Sequence, residues 1–136
     1  MKVKLLEHGI MPKKGHADDA GYDIYVPVKT VINPGETVVI DTGVCVEIRK
    51  GYAGMFVVRS SVSKKGIIIQ PPMIDYGYTG ELHIMAANIG TKKFSVDAGD
   101  RLCSLVVFPI YTGKLELVDE LADTERGTAW SGSTGK

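Results

Sequence analysis

The sequence predicts a single all-β domain, and three observations support that prediction. The chain has 136 residues, the usual length of one domain with one core. Apolar residues mostly alternate with polar ones or form short runs, a pattern typical of strands. Glycine is frequent, with 16 residues, and turn signals separate the runs. Short strands at this spacing favour a β-sandwich or barrel such as a jelly roll.

The individual strands follow from alternation at the N-terminus and from short apolar runs after it. The predicted strands are residues 1–6, 37–40, 44–48, 54–58, 66–69, 82–88, 94–96 and 102–109. Turn signals separate them at residues 33–35, 50–51, 77, 88–90, 98–100 and 112–113. We predict a break at Asp41-Thr42-Gly43, and Pro71-Pro72 allows no more than a short turn before Ile74. Helix is nearly absent from the prediction.

Charge and cysteine content narrow the function classes. Lysine plus arginine is 16 and aspartate plus glutamate is 16, so the net charge is zero. A general nucleic-acid binder normally carries a basic excess, but a local cluster of cations can still bind a small anion. Cys45 and Cys103 lie in apolar runs, which predicts buried free thiols. The N-terminus lacks a signal-peptide pattern and no run reaches the length of a membrane span, so we expect a cytoplasmic protein.

The composition changes near the C-terminus. From residue 122 onward the residues are mostly small and polar, and glycine is frequent. We therefore predict a folded domain over residues 1–121 and a flexible C-terminal arm over residues 122–136. The arm is either a disordered tail or a segment that orders over a ligand. Arg126 and the Gly-Ser-Thr-Gly run at 132–135 favour the second interpretation, since backbone N–H groups and hydroxyls bind phosphate.

Two further polar segments have the composition of cation and anion sites. Aspartates cluster in Asp18-Asp19-Ala20-Gly21-Tyr22-Asp23-Ile24, where they can hold a hard cation such as Mg²⁺ or form a charged loop that enters a strand. Arginine, serines and lysines cluster in Arg59-Ser60-Ser61-Val62-Ser63-Lys64-Lys65-Gly66. Arginine binds phosphate bidentately and serine adds neutral donors; the alternative is a solvated basic turn.

Two later segments complete the set of candidate sites. Asp75 lies between apolar and aromatic residues in Ile74-Asp75-Tyr76-Gly77-Tyr78-Thr79-Gly80-Glu81. Such an environment can adapt a carboxylate to general-base catalysis, although the same aspartate can also simply start a turn. Gly99-Asp100-Arg101-Leu102 is by itself typical of a turn with a local ion pair.

Taken in order, these five segments resemble the five motifs of the trimeric deoxyuridine triphosphatase (dUTPase) family over nearly the whole chain. The matching stretches are residues 20–24, 59–61, 74–81, 99–102 and 126–135. The resemblance implies a dUTPase-like β jelly roll (β-clip) and a homotrimer whose active sites are shared by three subunits and closed by the C-terminal arm. It also implies Mg²⁺-dependent hydrolysis of dUTP to dUMP and pyrophosphate. That reaction limits uracil in DNA and supplies dUMP for thymidylate synthesis.

The resemblance assigns a role to each matching residue. Asp75 is the implied base that deprotonates the attacking water, and Asp23 reaches Mg²⁺ through coordinated water. Tyr78 packs on the deoxyribose and excludes a 2′-hydroxyl. The implied substrate-binding residues are Arg59, Ser60 and Ser61 at the phosphate chain, Gln70 near the base, Tyr78 at the sugar, Trp130 on the uracil, and Arg126, Gly132, Ser133 and Thr134 at the γ-phosphate end. The resemblance does not identify a regulatory protein partner.

The sequence departs from the family pattern at several positions. Val58 stands where a proline usually precedes Arg59, and Pro72 stands where glycine is common. The stretch between Arg59 and Asp75 is shorter than usual. Ser104 replaces a glutamine of the fourth motif, and Trp130 lies one residue earlier than the usual aromatic, a position that Ser131 takes here.

Three rival functions remain at this stage. A dCTP deaminase shares this fold, but that family carries a glutamate where this chain has Met85, and methionine cannot act as acid or base. The spacing of Asp75 and Tyr78 also favours hydrolysis. A dUTPase-like regulatory or binding module and a structural jelly-roll subunit are the other two alternatives.

Overall fold

Antiparallel strands form nearly all the regular structure in residues 1–70, 73–124 and 127, the part of the chain that the computed structural model describes. One four-residue helix, α1, is the only helix in these residues. The elements in chain order are β1 (Lys2–Leu5), β2 (Gly21–Tyr25), β3 (Thr30–Ile32), β4 (Thr37–Glu47), β5 (Tyr52–Val58), α1 (Ser60–Ser63), β6 (Ile67–Gln70), β7 (Glu81–Asn88), β8 (Phe94–Val96) and β9 (Arg101–Pro109).

The strands form three sheets. A four-stranded sheet has the order β1-β4-β7-β6, a three-stranded sheet has the order β2-β9-β5, and β3 pairs with β8. Neighbours in each sheet are often distant in sequence, as β2 and β9 are. This topology brings segments from the two ends of the domain side by side, and it confirms the predicted all-β architecture.

One apolar core joins the sheets. Ile40, Ile84 and Ile67 from the four-stranded sheet belong to the same buried cluster as Phe56 and Leu105 from the three-stranded sheet. Burying these side chains supplies the main favourable term for folding. No helix in the described part of the chain is long and apolar enough to cross a membrane.

Both cysteines belong to this interior. Cys45 and Cys103 are buried and free, as predicted. Burial raises the pKa of the Cys103 thiol far above its ordinary value, and the negative charge of Asp23 raises it further. The thiol therefore stays protonated and behaves as a small apolar side chain.

The predicted break at Asp41-Thr42-Gly43 is wrong, because β4 continues through it. The strand changes register against β7 between Asp41 and Cys45 instead of ending there. Thr42 is fully buried, and its hydroxyl donates to the carbonyl of Leu82 at 2.7 Å while accepting from the N–H of Val44 at 3.2 Å. Gly43 has a φ of +68°, which turns the chain without stopping it.

Two strands are missing from the sequence prediction. In β2 only Ile24 is buried, and the remaining residues give no apolar alternation. β3 has three residues and one buried side chain, Ile32. Both strands pair with partners that are distant in sequence, β9 for β2 and β8 for β3, and the alternation of apolar residues does not indicate this tertiary contribution.

Candidate active site

The described site residues fall into two pockets of the protomer. A cavity of about 520 Å³ contains Asp23, Arg59, Ser60 and Ser61, and we call it the Arg59 pocket. A second cavity of about 430 Å³ contains Asp75 and Tyr78, and we call it the Asp75 pocket. The two sets of lining residues have no member in common. One protomer therefore separates the predicted catalytic base from the predicted phosphate-binding side chains.

The remaining predicted residues lie elsewhere. Gln70 is exposed at the end of β6 and is not among the residues that line either pocket. Pro72 and five predicted arm residues lie outside the described residues, so their contacts stay predictions. The arm residues are Arg126, Trp130, Gly132, Ser133 and Thr134.

The Arg59 pocket forms where β5 passes into α1. Arg59 has an extended backbone, and its carbonyl accepts from the N–H groups of Val62 and Ser63 at 2.9 and 2.8 Å, which starts the helix. The N–H groups of Ser60 and Ser61 stand in the first turn, where a helix supplies no acceptor. An arginine and two exposed serines at this turn give the pocket several donors and one positive charge.

Asp23, the predicted metal-binding residue, lines the same pocket together with Asp19. Its side chain is 14% exposed, and each carboxylate oxygen accepts one hydrogen bond. Arg101 Nη1 donates to Oδ2 at 3.0 Å, and Ser104 Oγ donates to Oδ1 at 3.0 Å. The predicted local ion pair of the fourth motif is wrong, because Arg101 pairs across the sheet with Asp23. Asp100 instead accepts from the N–H of Asp97 at 3.2 Å and closes the turn.

Asp75 is placed by the buried residue before it. Ile74 is 4% exposed and exchanges two backbone hydrogen bonds with Gly54, of 2.9 and 2.8 Å. A Cβ atom at Gly54 would lie 2.9 Å from Ile48 Cδ1 and 3.1 Å from Leu105 Cδ1, so the glycine leaves room for the side chains that pack beside this pair. The chain leaves the core at Ile74, and Asp75 is exposed at the mouth of its pocket.

Tyr78 is fixed in a turn that follows Asp75. Its N–H donates to the carbonyl of Asp75 at 3.2 Å, and its hydroxyl donates to the carbonyl of Glu81 at 2.7 Å. A Cβ atom at Gly80 would lie 2.7 Å from the Tyr78 hydroxyl, so the glycine leaves room for the ring. The ring is held beside the catalytic candidate and forms one wall of the Asp75 pocket.

Sequence reasoning missed several residues of the Asp75 pocket. Met73 and His83 line it beside Met85 and Glu81, two residues for which the sequence analysis predicted no contact with this pocket. Glu81 Oε1 accepts from the Gly43 N–H at 2.7 Å and lies 3.0 Å from His8 Nε2. These contacts join positions far apart in the chain, so no local motif reveals them.

The sequence also did not predict a second histidine contact near this pocket. His83 Nδ1 lies 2.8 Å from Asp41 Oδ1, across the β4–β7 pair. The two residues face each other only because of the register of that pair, and nothing in the spacing of the histidines indicates it.

The acidic residues of the described chain do not form a metal cage. No group of three or more histidine, cysteine, aspartate or glutamate side chains among these residues can hold an ion. Mg²⁺, however, usually keeps several waters and binds one or two carboxylates together with substrate phosphates. Asp23, beside Arg59 and Ser60, fits a metal that arrives with a phosphate ligand.

The comparisons with known proteins identify the family. A sequence model of the dUTPase family matches residues 7–135. The chain belongs to the dUTPase family. This chain is 40% identical to the deoxyuridine 5′-triphosphate nucleotidohydrolase of Clostridioides difficile and 39% identical to that of Escherichia phage T5. These alignments cover 99% of this chain and 97% and 98% of the two relatives.

Solved dUTPase structures match the fold as well. The dUTPase of Staphylococcus bacteriophage 80alpha with dUPNHPP has a TM-score of 0.92 and 33% identity, and the match covers 99% of this chain and 98% of that one. A dUTPase mutant from phage phi11 of S. aureus, described with a structural Mg(II) ion, has a TM-score of 0.81 and 33% identity over 88% of this chain and 96% of that one. The predicted dUTPase fold is therefore confirmed.

Proposed function

We propose that this chain is a dUTP diphosphatase that hydrolyses dUTP to dUMP and pyrophosphate. The observation that carries the proposal is the family match over residues 7–135, because it spans the motif residues of both pockets. Met85 lines the Asp75 pocket in place of the acidic residue expected of a deaminase. Hydrolysis is thus the reaction for which the pocket carries a suitable base.

Asp75 provides the base for that reaction. Its carboxylate accepts a proton from a water molecule as the water oxygen bonds to the α-phosphorus. The bond between the α-phosphorus and the bridging oxygen breaks, and pyrophosphate leaves with its electron pair. The exposed position of Asp75 at the pocket mouth leaves it open to solvent and to substrate in the single protomer.

Arg59 and Ser60 bind the phosphate chain with charged and neutral donors. Asp23 holds the water ligands of a Mg²⁺ ion, and this metal, when bound, withdraws charge from the phosphates and makes pyrophosphate a better leaving group. Ser61, in the first turn of α1, adds a hydroxyl to the same pocket.

Tyr78 selects the sugar. Its ring lies over Gly80, and the hydrogen bond to the Glu81 carbonyl opposes its displacement by an additional hydroxyl. We place the deoxyribose against this ring, with the 2′ position facing it. A ribonucleotide then meets a steric barrier, and its hydroxyl finds no partner. We place Gln70 near the uracil, at the start of the segment that leads to Asp75.

A homotrimer completes the site. In one protomer the base and the phosphate-binding residues lie in separate pockets, so the dUTP molecule joins two copies of the chain. Residues 110–118 form no helix or strand, and within them Leu115 is 96% exposed and Leu117 is 100% exposed. Two leucines this exposed favour burial against another copy. The buried free thiols are consistent with a cytoplasmic location.

Residues 122–136 act as the arm that closes over the nucleotide. We assign the γ-phosphate end to Arg126, Gly132, Ser133 and Thr134, and the uracil face to Trp130. Deletion of residues 126–136 is expected to lower kcat/KM for dUTP by about 100-fold or more, because it removes phosphate donors and the aromatic lid. Thermal unfolding measures the control: the melting temperature stays close to wild type if the arm only closes the site, and a large drop contradicts that role.

One assay tests the function directly. Pyrophosphate release from dUTP, dCTP, dTTP and UTP is compared with and without Mg²⁺. We expect efficient release from dUTP only, with a strong requirement for the metal. Equal turnover of UTP contradicts the role of Tyr78, while the absence of pyrophosphate release from every nucleotide contradicts the proposed function.

A further inference from the structure

Ser104 contacts Asp23 at a position where the sequence departs from the family pattern. The two residues are directly opposite each other in the β2–β9 pair. Ser104 Oγ lies 3.0 Å from Asp23 Oδ1, and the contact is partly buried. Directly opposed residues in an antiparallel pair have neighbouring Cβ atoms, so a short hydroxyl reaches a short carboxylate without intervening water.

The contact fixes the direction of the carboxylate. Arg101 Nη1 holds Oδ2 from one side at 3.0 Å, and Ser104 holds Oδ1 from the other. Two donors on two oxygens define the plane of the group, whereas one donor leaves it free to turn. Each oxygen keeps a second acceptor position for a further ligand. Arg101 is 44% exposed, so Ser104 is the more sheltered of the two donors.

Close packing supports this geometry. A Cβ atom at Gly21 would lie 2.9 Å from Ser104 Cβ, so the two strands meet closely only because position 21 is glycine. Ser104 also lines the Arg59 pocket together with Asp23, Arg59 and Ser60. The hydroxyl is therefore part of the wall that faces the phosphate-binding side chains.

We propose that Ser104 is a positioning residue that orients Asp23 toward the metal–nucleotide complex. This inference rests on the proposed function. Ser104 acts through Asp23 on the metal, and Asp75, which lines the other pocket, keeps its own role. Loss of the hydroxyl then weakens the metal-dependent part of nucleotide binding and leaves the metal-independent part unchanged.

Two substitutions of nearly equal shape isolate the hydroxyl. Ser104→Thr keeps it, and Ser104→Val replaces it with a methyl group. The probe is dUpNHpp, the analogue named for a bacteriophage 80alpha dUTPase structure, titrated calorimetrically with Mg²⁺ and with EDTA. We expect Ser104→Val to weaken binding about tenfold in Mg²⁺, as for the loss of a hydrogen bond to a charged group, and to leave binding in EDTA unchanged. Ser104→Thr stays close to wild type.

Ser95→Val is the matched control, because Ser95 is an exposed strand residue in β8. Circular dichroism checks that each variant folds, and Ser104→Ala replaces Ser104→Val if the latter does not. Three results overturn the positioning role: wild-type affinity without the hydroxyl, equal losses with Mg²⁺ and with EDTA, or equal losses in the threonine and valine variants. Wild-type turnover of dUTP is measured beside them, so failure of this inference is distinguishable from failure of the proposed function.

Discussion

Replacement of Asp75 by asparagine is expected to lower kcat for dUTP hydrolysis by about 1,000-fold, because the amide cannot accept the proton of the attacking water. The change removes charge but little volume. In the described residues the Asp75 carboxylate accepts no hydrogen bond from the protein, while its backbone carbonyl accepts from Tyr78 and keeps that contact in the variant. Fold and nucleotide binding are therefore expected to survive. Pyrophosphate release and dUpNHpp affinity measure the two effects separately.

Asp119→Asn provides the matched control, since it neutralises another exposed carboxylate that lines neither pocket. Near-wild-type turnover of Asp75→Asn removes Asp75 from the role of base. Loss of turnover together with loss of analogue binding assigns it to substrate binding instead. A fall in melting temperature of several degrees assigns the residue to the fold.

A double substitution of Leu115 and Leu117 by aspartate is expected to dissociate the trimer and abolish most of the activity. Both side chains are almost completely exposed in the protomer, and burial of each against a neighbour stabilises the assembly by about 1.5–3 kcal/mol. Two charges at these positions add a desolvation cost. In the proposed shared site dUTP contacts the Arg59 pocket of one copy and the Asp75 pocket of another, so separated protomers are expected to lose turnover.

Sedimentation measures the assembly, with wild type expected at three times the 14.7 kDa mass of the chain. Lys114→Asp, in the same segment, is the control for added negative charge and is expected to leave the trimer intact. A double variant that stays trimeric contradicts the role of the leucines. A wild-type chain that sediments as an active monomer contradicts the shared site altogether.

The strands that carry apolar runs are predictable from the sequence because their pattern is local. β5, β7 and β9 follow from runs of buried side chains, with bounds within two residues of the prediction. β2 and β3 are not predictable in this way, since each has one buried residue and depends on a distant partner. The continuity of β4 depends on the buried Thr42 hydroxyl, which donates to the carbonyl of Leu82, 40 positions later, and accepts from the N–H of Val44 within β4.

In the candidate site, too, local motifs are predictable from the sequence and contacts between distant residues are not. Motif order predicts Asp23, Arg59, Asp75 and Tyr78 as site residues, and each of them lines one of the two pockets. The pairing of Arg101 with Asp23, 78 positions apart, follows only from the β2–β9 register. The separation of the two pockets depends on how the strands are arranged in the folded chain, so composition and spacing cannot reveal it.

Burial also protects the Cys103 thiol from oxidation. Peroxides attack thiolates, and the thiolate of Cys103 is suppressed by burial and by the neighbouring negative charge. The residue thus resists conversion to sulfenic acid while the domain remains folded. Peroxide is therefore expected to leave Cys103 reduced in the folded domain.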